Sequence, residues 1–118
     1  MIVTATMYFL DTCAIIEYLR GNPKFARYLE GRGSVTSLLN LMEPYCVVLR
    51  DNSEEDAERV WPAFRQQAEE LTDEAVKEAM KSRLKLRARG LNLSYADAVG
   101  YSLALGLHAK FVTGDEAF

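Results

Sequence analysis

The sequence holds a single histidine, His108, and two cysteines, Cys13 and Cys46. One histidine cannot form a two-histidine nuclease pair, and it is expected to be a surface residue ending a helix. Neither cysteine has metal-ligand spacing, so zinc has no ligand set. Both thiols stand among apolar residues and are expected to be buried in a reducing cytoplasm. No apolar run approaches the ~20 residues of a membrane span, and no signal-peptide pattern is expected. There is no P-loop, no dinucleotide fingerprint and no Ser-His-Asp set at a plausible elbow. Repeats, low-complexity tracts and linkers are also missing. At 118 residues the chain is expected to be one domain, residues 1–118. Its net charge of −3 argues against nucleic-acid binding by the molecule as a whole, though not by a local basic strip.

What is present reads as short strands alternating with helices. Met7–Leu10 is an apolar run expected to be a strand, with Asp11 at the junction to a helix over Cys13–Leu19 that Gly21 closes. Pro23 opens a short helix, and Gly31 and Gly33 bracket a turn before a brief strand at Ser34–Thr36. Leu38–Leu49 has helical period, with Pro44 in its first turn or at a kink. Asp51 to Glu74 carries nine acids against two arginines. Within it Ser53 starts a helix that Pro62 bends or ends. Ala68–Leu71 is a third candidate strand. Thr72 opens a long helix that Gly90 stops, and Lys110–Thr113 is a β-branched strand leading to Gly114-Asp115. Strands alternating with helices imply a mainly parallel sheet covered on both faces.

One helix stands out. Between Gly90 and Ala109 the only formal charge is Asp97, set among apolar residues that cover almost every face, so Ser94–Leu105 reads as a buried helix. A buried carboxylate needs a partner, a metal or a proton, and no Lys or Arg lies near it in sequence. Three other acids occupy comparable places. Asp11 and Asp115 follow strands, while Glu43, like Asp97, is expected in the first turn of a helix. Each has a plain alternative as a cap or part of a capping box, Glu43 with Asn40 and Asp97 with Ser94. Ligand sites of parallel sheets form at the carboxyl ends of the strands, where this topology brings all four acids. Clustered carboxylates repel unless a cation holds them ionised. Oxygen ligands without His or Cys suit Mg²⁺ or Mn²⁺, and the chemistry that follows is metal-assisted phosphodiester hydrolysis.

Phe9-Leu10-Asp11-Thr12, Glu43 in a helix, Leu93-Ser94-Tyr95-Ala96-Asp97-Ala98, and Phe111-Val112-Thr113-Gly114-Asp115-Glu116-Ala117-Phe118 together resemble the PIN domain. The likeness is greatest to the small VapC-type toxins of prokaryotic toxin–antitoxin pairs. It spans Met7 to Phe118 and implies a three-layer α/β/α fold. It also implies a Mg²⁺- or Mn²⁺-dependent endoribonuclease that leaves a 5′-phosphate and a 3′-hydroxyl. By position it implies Asp11, Glu43 and Asp97 as core metal ligands, Asp115 as a fourth, and Thr113 as the hydroxyl that orients water or a carboxylate. A homodimer and a small antitoxin covering the site come with the resemblance. Family members continue past the Asp-x-x-Phe segment into a further strand. This sequence ends at Phe118, so the expected sheet lacks that edge strand or the sequence is a piece of a longer one.

Lys77, Lys81, Arg83, Lys85, Arg87 and Arg89 form a basic run that RNA phosphates would suit, although a solvated helix face is the readier account. Tyr45, Trp61 and Phe64 are expected in the core or a dimer interface. Three other readings stand beside the toxin. A phosphoacceptor domain would want paired acids after the first strand and a lysine after the last, and has neither. An inert PIN-like module that binds RNA or protein, and a housekeeping RNA-processing nuclease, share the same fold.

Overall fold

The structure, a computed structural model, describes residues 7–29 and 33–113. Its frame is four short strands: β1 (Tyr8–Leu10), β2 (Ser34–Ser37), β3 (Ala68–Glu69) and β4 (Lys110–Val112). They pair in parallel in the order β3-β2-β1-β4. A strand buried on both faces is apolar at consecutive positions, and Phe9 and Leu10 of β1 are both fully buried. Their side chains leave opposite faces of the sheet. Leu10 packs with Ile15 of α1 (Thr12–Leu19), Leu29 of α2 (Ala26–Leu29) and Leu41 of α3 (Leu38–Asp51). Trp61 and Phe64 of α4 (Glu54–Gln66) close that side. On the other face Phe9 stacks on Phe111, and Tyr101 of α6 (Tyr95–Gly106) meets Phe111 edge-on. The long helix α5 (Asp73–Ala88) packs outside α6. Helices on both faces of a parallel sheet give the expected three-layer α/β/α architecture.

The starts of the helices follow their polar residues. Asp11, Ser37, Ser53, Thr72 and Ser94 each accept a bond from a backbone N–H of the first turn. Gly90 ends the α5 segment in the left-handed region at φ 88°, which a side chain would oppose. Neither Pro44 nor Pro62 ends its helix. Pro44 lies inside α3, and Pro62 neither ends nor interrupts α4, which runs on to Gln66. Each removes one backbone donor, a loss outweighed where the helix buries an apolar face. Ala57 of α4 is fully buried, and Trp61 and Phe64 pack on the core.

Two burial expectations are corrected. α6 is not buried all round: its buried side is Ala98, Val99, Gly100 and Ala104, whereas Tyr95 is 65% and Leu105 59% exposed. Apolar residues exceed the places the core offers, and single exposed ones are common. Cys13 is half-buried and Cys46 exposed, because the inward face of α3 runs Asn40, Leu41, Pro44 and Val48. The third strand pairs only over Ala68–Glu69. His108 is exposed beyond α6, as expected. Met1–Thr6, Gly31 and the stretch from Gly114 to Phe118 lie outside the described residues.

Candidate active site

From β1 the chain passes to β2 and β3 on one side, then returns to β4 on the other. Such a reversal opens a crevice at the carboxyl ends of the two strands it separates, here β1 and β4. Asp11 is the residue that leaves β1. Its N–H donates to the Val112 carbonyl at 3.1 Å, which sets Thr113 beside it across the crevice. The hydroxyl of Thr36 on β2 donates to the Leu10 carbonyl at 2.7 Å and pins the strand end just before Asp11. Asp11 is 0% exposed, and its Oδ1 accepts the Ala14 N–H at 2.9 Å. Capping therefore occupies one oxygen of this acid and leaves the site reading intact.

The other acids arrive on helices whose first turns meet the same edge. α3 follows β2 directly, and α6 runs back against β4, so each helix begins at the strands' carboxyl ends. Asp97 lies in the first turn of α6, with its N–H bonded to the Ser94 hydroxyl at 3.1 Å. It is half-buried. The acid removed entirely from water is thus Asp11, not Asp97. Glu43 is exposed, and no acid occupies the first turn of α3. The capping box between Asn40 and Glu43 is not formed. β2 extends to Ser37 and α3 starts at Leu38, where its apolar period begins, so Ser37 rather than Asn40 is the cap, bonded to the Asn40 N–H at 3.3 Å.

Among the described residues, no group of three Asp, Glu, His or Cys side chains stands close enough to hold a metal. β1, α3 and α6 carry Asp11, Glu43 and Asp97 to one edge without closing them into such a group, and Asp115 lies outside the described residues. The donors nonetheless match a hard divalent cation in kind: they are oxygens only, and magnesium commonly uses one or two carboxylates and keeps its waters. The positive ends of α1 and α6 also favour the negative charge of Asp11 and Asp97 placed there.

Two clefts reach this edge, one at Glu43 and one at Thr113, and Asp11 and Asp97 line neither. Glu43 lines one of about 470 Å³, together with Cys13, Arg20, Lys24 and Arg50. Thr113 lines another of about 1030 Å³, with Tyr8, Lys24, Phe25, Arg27, Tyr28, Tyr101 and Lys110. The basic run of α5 contributes no cation to either. Arg83 is engaged elsewhere: its Nε donates to the Leu93 carbonyl at 2.8 Å, and its guanidinium lies 4.4 Å from the Tyr95 ring centre. It braces the entry to α6.

Sequence reasoning missed three residues. Thr36 looked like an ordinary strand residue. Asn40 was taken only as a possible cap, yet it is fully buried among α1, α3 and α6. Gly100 passed unnoticed, yet a Cβ there would lie 2.8 Å from Phe9 Cε1 and 3.1 Å from Asn40 Oδ1. A glycine inside a helical pattern was the available signal, since it weakens a helix unless close approach demands it.

The family model of the PIN domain matches residues 8–118. No curated protein matches the sequence. Among solved structures, VapC20 of Mycobacterium tuberculosis, a toxin that cleaves the sarcin–ricin loop, superposes with a TM-score of 0.72. It is 18% identical, over 92% of this chain and 90% of that one. At that identity the likeness is one of fold.

Proposed function

The chain belongs to the PIN domain family, and on that premise we propose that it is a Mg²⁺- or Mn²⁺-dependent endoribonuclease, the toxin of a VapBC-type pair. The observation that carries the reading is the fully buried Asp11 at the switch point between β1 and β4, with the start of α6, which bears Asp97, and the start of α3 tied beside it. In this reading Asp11, Glu43, Asp97 and Asp115 hold the cation, and Thr113 orients water or a carboxylate next to Asp11. A bound Mg²⁺ or Mn²⁺ would supply the charge that makes water nucleophilic and neutralises the in-line phosphodiester transition state. Arg20, Lys24, Arg50 and Lys110, from the two clefts, are the cations placed to meet RNA phosphates. The aromatic side chains of the larger cleft offer surfaces on which unpaired bases could stack.

The structure of VapC20 supports the toxin role by its fold. The cellular setting follows as part of the proposal: a single-domain homodimer in the cytoplasm, held inactive by a cognate antitoxin. Among the described residues, no helix is long and apolar enough to cross a membrane. The test is incubation of the purified chain with total RNA and Mg²⁺ or Mn²⁺. Discrete cuts bearing 5′-phosphates, stopped by EDTA and restored by Mn²⁺, are expected; cutting that persists in EDTA contradicts the mechanism. The described acids do not close into a metal-holding group, and that favours, as a second reading, a PIN-like module that binds RNA without cutting it. Binding of RNA with no cleavage under any divalent ion would select it. Growth arrest on expression, relieved by a short reading frame adjoining the gene, separates a toxin from a housekeeping RNA-processing nuclease.

A further inference from the structure

We propose that Asn40 is a positioning residue of this site: its buried side chain ties the starts of α1, α3 and α6 together and so sets where Asp11, Glu43 and Asp97 stand. The inference rests on the nuclease reading for its consequence, but on the geometry alone for the tie.

Every polar group of Asn40 is committed to one of the three helix starts. Its Nδ2 donates to Thr12 Oγ1 at 3.2 Å, one residue beyond Asp11, and to the Ala96 carbonyl at 3.4 Å, one residue before Asp97. Its Oδ1 accepts the Ser37 hydroxyl at 2.6 Å, while its own N–H donates back to Ser37 Oγ at 3.3 Å. The carbonyl of Asn40 is the one that Pro44, having no N–H, cannot bond. Thr12 Oγ1 takes up that acceptor at 3.4 Å. The proline inside α3 thus frees a carbonyl that α1 then uses. Asn40 and Ser37 are 0% exposed and Thr12 5%, so water cannot cheaply replace the bonds among these three; the bond to the Ala96 carbonyl is half-buried.

Gly100 completes the device from the side of α6. A side chain there would press on Phe9 and on the Asn40 amide, so glycine lets α6 settle onto β1 and α3 at the depth where the Ala96 carbonyl meets Asn40. An apolar residue of the same size could fill the space of Asn40 but could not fix the relative rotation of the three helices. Glu43, three residues on in the same helix, moves with the segment that Asn40 anchors.

The test uses the full chain, with Mn²⁺ binding followed by electron paramagnetic resonance and backbone amide exchange followed by mass spectrometry. Asn40→Leu keeps the volume and Asn40→Ala removes it; Val48→Ala, in the same helix but away from the tie, serves as the stability control. Both Asn40 variants should weaken Mn²⁺ binding about 10- to 100-fold, the scale for groups that orient metal ligands. Both should also speed exchange at the starts of α1 and α6. Val48→Ala should lower the melting temperature and move neither readout. Should the Asn40 variants fail to fold, Gly100→Ala, which keeps every hydrogen-bonding group while crowding the Asn40 amide, should produce the same two changes. Mn²⁺ binding by Asn40→Leu within about twofold of the parent, or unaltered exchange at α6, overturns the inference. A parent protein that binds no Mn²⁺ defeats the metal reading alone; faster exchange at the starts of α1 and α6 then still upholds the tie, and unchanged exchange overturns it.

Discussion

Between residues 51 and 89 the chain is dense in charge, and its polar side chains meet in solvent. Arg59 with Asp56 and Lys81 with Glu78 are pairs along exposed helix faces, and Arg50 with Asp51 is a neighbour pair. Around Asp11, Asn40 and Asp97 charges are few, yet Thr12, Thr36, Ser37 and Asn40 are buried and hydrogen-bonded, and Thr12, Thr36 and Asn40 reach segments far away in sequence. The difference is one of solvent. Water competes for the first set, leaving each exposed pair worth roughly 0–1 kcal/mol. It is excluded from the second, where an unmatched group costs about 1–3 kcal/mol. The uncharged polar residues, more than the charge-rich stretch, determine where the acids stand.

Phe9→Ala removes the ring between β1 and α6 and should cost about 3–5 kcal/mol by urea denaturation. Asp11→Asn should lower RNA cleavage by about a hundredfold or more, the scale of losing a preorganised charged group. Because asparagine caps a helix about as well as aspartate, its melting temperature should stay close to the parent's. Two glycines of α6 should respond with opposite signs. Gly100→Ala meets Phe9 and Asn40 and should destabilise by about 1–3 kcal/mol. Gly106→Ala meets nothing within 4 Å and should be neutral or stabilise by up to about 1 kcal/mol. Equal effects at the two positions would refute the close approach of α6.

The smallest effects belong to the charged region. Lys81→Ala should change stability by no more than about 0.5 kcal/mol, and added salt should shrink even that. The Asp51 carboxyl, hydrogen-bonded by the Arg50 guanidinium, titrates below its ordinary value of 3.8. What stability this gives is present above the unfolded value and disappears as pH falls through the lower folded one. Exposure to solvent keeps it slight, so an NMR titration of Asp51 should register the shift while the melting temperature at pH 5 and pH 7 barely responds to Asp51→Asn.

Much of this arrangement was legible in the residues. The apolar run at Met7–Leu10, the caps Ser53, Thr72 and Ser94, and the β-branched stretch at Lys110–Thr113 place the strands and most helix starts, because local pattern governs them. Pro44 does not sit in a first turn and Pro62 does not end its helix, because tertiary burial of α3 and α4 outweighs one lost backbone bond each. The status of Asp97 misled for a different reason. Periodicity tells which residues are apolar but not how many of them the core admits, so α6 looked enclosed where it is half open. Asn40 was illegible: apart from Ser37, its partners Thr12 and Ala96 lie in segments whose proximity only the folded topology creates.

The most direct test of the account is a Mn²⁺ titration, read by electron paramagnetic resonance, of the parent chain and of Asp11→Asn, Glu43→Gln and Asp97→Asn. The account predicts one site to which all three acids contribute, so each substitution alone should weaken binding by about tenfold or more. Parent-like affinity in any two of the three variants would contradict it.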